Sequence, residues 1–226
     1  MDSVLWYVLP LAIAVALSIF PVLAALLLLL AGSTTRPSAS YALGWSLGLV
    51  VLVSTFAVGA RMVPGDSSRS MPAWVHYVEI AVGAVLIVEG VLSAMHQRRR
   101  ATPAAPPEWL QAASSLDARR AFAFGVFMNV RPKNLALTFA AGVAIGAAPI
   151  TLLAGGLSIL LFVVVGVSTV VGLVLANVLA PRRVRPLLRT LHAWLVSNAS
   201  LVLRLSFAVI GGILVTIGLT ALTGSS

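Results

Sequence analysis

The chain has 226 residues, 60% of them hydrophobic and only 9% charged, with a net charge of +9 and a mean hydropathy of +1.05. Soluble domains hold about 45–50% apolar and about 25% charged residues, so there are too few polar side chains here to cover a water-facing surface. The composition is that of a polytopic membrane protein. The absence of cysteine removes disulfides, thiolate catalysis and cysteine metal sites.

A spanning helix needs about 20 predominantly apolar residues. The first such run, Val4–Ala31, follows a single charge, Asp2. It is too long for a signal-peptide core and has no basic residues ahead of it, so it is expected to stay as a membrane span. Five more follow: Tyr41–Val63, Trp74–Met95, Ala121–Ala147, Ile150–Ala180 and Ala199–Thr223. Between the third and fourth lies the longest polar stretch, 96–120, opening with Arg98, Arg99 and Arg100. Its end, Glu108–Arg120, is compatible with a short helix carrying Trp109, Ala113 and Leu116 on one face. Between the fifth and sixth, Val184, Leu187, Leu188, Leu191, Trp194 and Leu195 recur at helical spacing opposite Arg182, Arg185, Arg189 and His192. That pattern predicts an amphipathic helix, 182–198, in the membrane interface.

Loop arginines set the orientation. Arg36, Arg98, Arg99, Arg100, Arg119, Arg120, Arg182, Arg183, Arg185 and Arg189 fall on one side, and Arg61 and Arg69 on the other. By the positive-inside rule the first group is cytoplasmic and both termini are outside. The basic charge thus serves topology, and nucleic acid is not an expected partner. Spans one to three then run opposite to spans four to six, as an inverted repeat requires. Two echoes agree with it. Gly83/Gly90 in the third span match Gly211/Gly218 in the sixth, and Ser18–Pro21 in the first match Asn129–Pro132 in the fourth. The expected fold is all-α, with six transmembrane helices in two inverted three-helix repeats (1–95 and 121–226, joined by the cytoplasmic linker 96–120) and with helices 1 and 4 broken.

The densest chemistry is Asn129–Val130–Arg131–Pro132–Lys133–Asn134. Pro132 breaks or kinks the fourth span. Two cations at membrane depth cost roughly 2.5–3.5 kcal/mol each on insertion scales, so Arg131 and Lys133 must meet a partner or a wet cavity. A half-helix starting at Pro132 aims its positive end at the same place, which suits a carboxylate, sulfate or phosphate. The competing reading is an internal ion pair with Glu79 or Glu89 on the third span. At about 1.5 Å per residue, Glu89 falls ~9 Å and Arg131 ~15 Å from the cytoplasmic end, and Glu79 and Lys133 fall ~24 Å and ~18 Å. Small-xxx-small pairs at Gly44/Gly48 and Gly142/Gly146, with Gly155–Gly156, predict close helix packing. No His-Glu-x-x-His, aspartate pair or metal-ligand cluster lies in the spans, so neither enzyme activity nor a cofactor or metal is expected.

The segment Ala16–Leu17–Ser18–Ile19–Phe20–Pro21–Val22 with its following Leu run resembles the opening helix of the LysE-type exporter superfamily. Arg131–Pro132–Lys133–Asn134–Leu135 with Ala140–Ala141–Gly142 resembles that superfamily's second repeat. More narrowly, the chain is similar to the GAP/Sap group of glycopeptidolipid- and sulfolipid-addressing proteins. It departs from the pattern at Ile19, near where the family often has a second proline, and at Arg131, where an asparagine is common. The resemblance implies a protein of the bacterial cytoplasmic (inner) membrane that exports, or helps to export, an amphiphilic or anionic envelope molecule such as a glycolipid. Two alternatives stay open: a proton-coupled exporter of amino acids or other small solutes, using Glu79 or Glu89, and a non-transporting helper of a larger lipid exporter. Expected partners are membrane lipids and the cargo, with a larger lipid exporter or a second copy of the chain as further candidates. Ser18, Pro21, Asn129, Arg131, Pro132, Lys133, Asn134, Glu79 and Glu89 form the candidate substrate-binding or ion-coupling set.

Overall fold

The computed structural model describes residues 2–31, 35–62, 77, 80–84, 87–88, 90–92 and 116–223. Regular structure among them is helical throughout. The helices are α1 (Asp2–Ala16), α2 (Ile19–Ala31), α3 (Arg36–Arg61), α4 (Ala118–Met128), α5 (Pro132–Ala147), α6 (Leu152–Leu179) and α7 (Pro181–Thr223), with short helical pieces at 80–84, 87–88 and 90–92. Their starts follow local chemistry. The Asp117 side chain accepts from the Arg120 amide at 2.8 Å and caps α4. The Thr151 hydroxyl does the same for α6, accepting from the Ala154 amide at 3.2 Å. Helices α3 and α5 open with a proline in the first turn, where the missing N–H costs nothing.

By length and composition α3 and α6 can each cross a membrane, and the bent pair Val4–Ala16 and Ile19–Ala31, angled by 42°, adds a third span if taken as one. Large apolar side chains point outward from these helices, among them Leu43, Leu47 and Val51 on α3 and Leu153, Leu160 and Val164 on α6. A surface of that kind is stable against lipid and not against water. The chain is a helical integral membrane protein. Of the six spans expected from the sequence, the described residues thus support two, and a third where the bent pair is one span. The third expected span is described only in pieces, and α4–α5 carries two cations at its centre.

Helix α3 lies along α4 and α5, α1 lies along α6 and α5, and α2 touches α6 and α7. Glycines make the closest approaches possible. A Cβ at Gly44 would strike the Phe122 carbonyl, and one at Gly125 would strike the Tyr41 carbonyl and come within 2.8 Å of the Trp45 amide. On α5, a Cβ at Gly142 would lie 2.5 Å from Phe56 Cβ and 2.9 Å from the Val53 carbonyl, and one at Gly146 would strike the Ala57 carbonyl. The small-residue faces at Gly44/Gly48 and Gly142/Gly146 are therefore real contacts. Gly155–Gly156 makes no such contact among the described residues: none of them comes closer than 3.9 Å to a Cβ at Gly155, and none lies within 4 Å at Gly156. A Cβ at Gly211 would lie 2.6 Å from Ile87 and 2.8 Å from the Gly83 carbonyl, and one at Gly90 would lie 3.0 Å from Phe207, so the pieces at 80–84, 87–88 and 90–92 lie against α7.

The segment 182–198 is helical, as its periodicity predicts, but it is not a separate element. It continues into the next apolar segment as one helix of 43 residues, about 64 Å long at 1.5 Å per residue. The hydroxyl of Ser197 and the amide of Asn198 both donate to the Trp194 carbonyl, at 3.0 and 2.9 Å. These side chains bond back to the preceding turn instead of capping a new helix. The linker helix read at Glu108–Arg120 lies outside the described residues up to 115, including Trp109 and Ala113. Leu116 and Asp117 are non-helical, and Arg119 and Arg120 already belong to α4.

Candidate functional site at two helix breaks

Proline lacks an N–H and its ring crowds the carbonyl four residues earlier. The residue four before Pro132 is Met128, where α4 ends; the residue four before Pro21 is Leu17, where the helix is interrupted between α1 and α2. One mechanism therefore produces both breaks. At the α4–α5 break Asn129 and Val130 close a tight last turn onto the Val126 and Phe127 carbonyls, at 3.2 and 3.0 Å. Arg131 is extended, with φ −61° and ψ 140°, as a residue before proline prefers. Its carbonyl then accepts from the Leu135 amide at 2.8 Å and starts α5.

Two buried asparagines clip this break shut. The Asn134 amide donates to the Met128 carbonyl at 3.3 Å, across the gap that Pro132 opens. The Asn129 amide donates to the Trp45 carbonyl of α3 and to the Gly125 carbonyl, each at 3.2 Å. Gly48 gives that amide its room, since a Cβ there would lie 2.5 Å from Asn129 Nδ2. Asn129 Oδ1, Asn134 Oδ1, Thr138 Oγ1 and Trp45 Nε1 are buried with no hydrogen-bond partner among the described residues. Buried polar atoms normally have partners, so this cluster is a surplus of bonding capacity beside the two cations.

Arg131 and Lys133 are half-buried, while Val130 and Pro132 between and beside them are exposed. The break is thus open at its rim. The Arg131 guanidinium lies 3.8 Å from the centre of the Phe20 ring, and the Lys133 ammonium 5.6 Å from that of Phe207. Both are within cation–π range. Phe20 stands in the first turn of α2, so Arg131 joins one break directly to the other. The first amides of α5 add the positive end of a helix dipole. Glu79 and Glu89, the carboxylates expected as ion-pair partners, lie outside the described residues.

The α1–α2 break is built differently. Ser18 is buried and its backbone carries the turn: its amide donates to the Val15 carbonyl at 3.0 Å and its carbonyl accepts from Val22 at 3.4 Å. Pro21 is buried and its carbonyl accepts from the Tyr41 hydroxyl at 3.0 Å. The bend leaves a cavity of about 370 Å³ against α6 and α7, with carbon-rich walls. Sequence reasoning missed Tyr41, Trp45, Phe20 and Phe207. Tyr41, Trp45 and Gly48 share one face of α3 at spacings of four and three, a signal that was available. Nothing local marks Phe20 or Phe207 as a seat for a cation.

A family model described as Sap, sulfolipid-1-addressing protein, matches residues 8–220. The chain belongs to the Sap, sulfolipid-1-addressing protein, family. The match runs through both breaks and into the last helix, so the narrower resemblance read from Ala16–Val22 and Arg131–Leu135 is borne out. No curated protein and no solved structure matches this Sap-family chain.

Proposed function

We propose that this Sap-family chain is a transporter, or the membrane component of one, that moves an anionic amphiphile of the cell envelope outward across the cytoplasmic membrane, with a sulfolipid-like glycolipid as the cargo class. The observation that carries this reading is the α4–α5 break: two half-buried cations, a helix N-terminus and a cluster of unpartnered buried polar atoms gathered in a membrane protein. Such a place is costly to maintain in lipid and is suited to a sulfate, phosphate or carboxylate group. Family membership supplies the link to sulfolipid addressing.

The architecture that goes with this reading is six spans in two inverted repeats with both termini outside. The packing supports it. An inverted repeat exchanges the first span for the fourth and the second for the fifth, so the first should pack on the fifth as the fourth packs on the second. Helices α1 and α2 do lie on α6, and α4 and α5 lie on α3. The Arg61 guanidinium donates to the Ile150 carbonyl at 3.1 Å, which ties the end of α3 to the start of α6 on one side, here the outer one. A reporter fused after Ser225 is expected outside; a cytoplasmic Ser225 would overturn the topology.

The functional test is export. In the native host, deletion should leave the anionic envelope lipid inside the cell, and wild-type protein should restore its export. Lys133→Met and Lys133→Arg should each fail to restore it, because a compact ammonium in a shaped site is not replaced by a planar guanidinium. Restoration by both variants would remove Lys133 from the site.

A further inference from the structure

Helix α7 begins at the membrane face where α6 ends. Helix α6 is long and apolar enough to cross the membrane and stops at Leu179; Ala180 makes the turn and Pro181 opens α7. Arg182, Arg183, Arg185 and Arg189 follow within about 10 Å of helix, and all four are exposed. At about 3.6 residues per turn this stretch has three sides. Val184, Leu188, Leu191 and Leu195 form one and pack into the core. Arg182, Arg185 and Arg189 form the second. Leu187 and Trp194 form the third and are exposed, with Arg183 at its edge. An exposed apolar side next to a basic side is the surface of a helix set between acyl chains and headgroups, not of one set in water.

The surrounding helices do not supply the opposite charge. Helix α7 packs on α1, α2 and α6, and α2 through α7 contain no Asp or Glu. Among the described residues only Asp2 and Asp117 carry a carboxylate. Asp2 starts α1, at the far end of that helix from the bend with α2, and Asp117 is engaged in capping α4. A leaflet containing anionic lipids offers the missing charge at the right level, and guanidinium forks match the oxygens of a headgroup phosphate. Arginine stems are long enough to snorkel to that level from the deeper positions. We propose that the basic side of α7 binds anionic phospholipid headgroups of the leaflet at which α6 ends, with Leu187 and Trp194 among the first acyl carbons. This surface is separate from the α4–α5 break, since about 27 Å of continuous helix parts Arg189 from Phe207, which carries Lys133.

Trp194, on the same stretch and exposed, reports the lipid beside this surface. The full chain is placed in phosphatidylcholine nanodiscs with rising shares of phosphatidylglycerol brominated in its acyl chains. A second series uses equally brominated phosphatidylcholine. The Trp194 signal is isolated by difference against Trp194→Phe. At low salt, half-maximal quenching should need about fivefold less of the anionic lipid than of the zwitterionic one, the equivalent of one arginine at a headgroup. Salt at about 1 M, where charges are screened within about 3 Å, should remove most of that preference. Arg182→Gln, Arg183→Gln and Arg189→Gln combined should abolish it, and the same three positions changed to Lys should keep it, because the charge is retained. Arg119→Gln with Arg120→Gln, which takes two exposed arginines from α4, should leave it in place, and so should Lys133→Met. Equal quenching by the two lipids in the wild type, or a preference that survives the triple Gln variant, would overturn the lipid surface. A preference lost in Lys133→Met would place the anionic lipid at the α4–α5 break, overturning the α7 surface while leaving the cargo reading standing.

Discussion

The two broken helix pairs share a cause and differ in content. Each breaks four residues before a proline, and Phe20 under Arg131 joins them. Around Pro132 the chain places two asparagines, two cations and a helix N-terminus. Around Pro21 it places a buried serine, leucines and an apolar cavity. One backbone device thus opens two gaps, and side chains decide that one is polar and the other oily. The supports differ as well. Helix α4 rests on α3 through backbone contacts at Gly44 and Gly125, whereas α1 meets α6 at Gly166, where a Cβ would touch only side chains, Leu49 at 2.9 Å and Val15 at 3.5 Å.

The largest effect should therefore come from the backbone contact beneath the polar break. Gly125→Leu should cost about 3 kcal/mol or more, since no rotamer relieves a clash with the Tyr41 carbonyl, and should be visible as lost folded protein on size-exclusion chromatography. Gly166→Ala, beneath the other break, should cost about 1 kcal/mol because Leu49 can turn away. Equal losses at the two positions would show that the two supports are equivalent. Gly156→Leu, with open space at its Cβ, should leave folding unchanged.

Next in size are the clips. Asn129→Leu strands the Trp45 carbonyl contact and should lower stability by about 1–2 kcal/mol, the upper range for hydrogen bonds between membrane helices. Gly48→Ala should produce part of the same loss by pushing the Asn129 amide aside. Ser18→Ala, at the corresponding place in the first break, should stay within about 0.5 kcal/mol. Thermal unfolding of the three variants in one detergent orders them, and a Ser18→Ala loss as large as that of Asn129→Leu would contradict the asymmetry. Tyr41→Phe should fall between Asn129→Leu and Ser18→Ala. It removes one hydrogen bond to the Pro21 carbonyl and should cost about 1 kcal/mol, with the α4–α5 break unaffected.

Both breaks were legible in the sequence because the action of proline is local: Ser18–Pro21 and Asn129–Pro132 announce them without any tertiary information. Gly44/Gly48 and Gly142/Gly146 were legible by spacing. The same reasoning misread Gly155–Gly156, since spacing marks a narrow face but not whether a helix comes to it. The continuity of α7 was hidden in Ser197 and Asn198, residue types that cap a new helix as readily as they bond back to the old one. Least legible were the seats of the cations. Phe20 lies more than a hundred residues from Arg131, and its use as a platform depends on two helices meeting, which no local pattern records.

The central claim is that the α4–α5 break receives the anionic head of the cargo. It is tested most directly with purified protein in liposomes, by following outward movement of a fluorescent sulfated glycolipid for the wild type, Lys133→Met and Lys133→Arg. Each variant is paired with Glu79→Gln or Glu89→Gln to separate a structural ion pair from a cargo contact. If Lys133 meets the cargo, both single variants lose transport, and the double variants regain folded protein but not transport. Transport restored in Lys133→Met combined with either glutamine variant would contradict the claim and make Lys133 a structural charge.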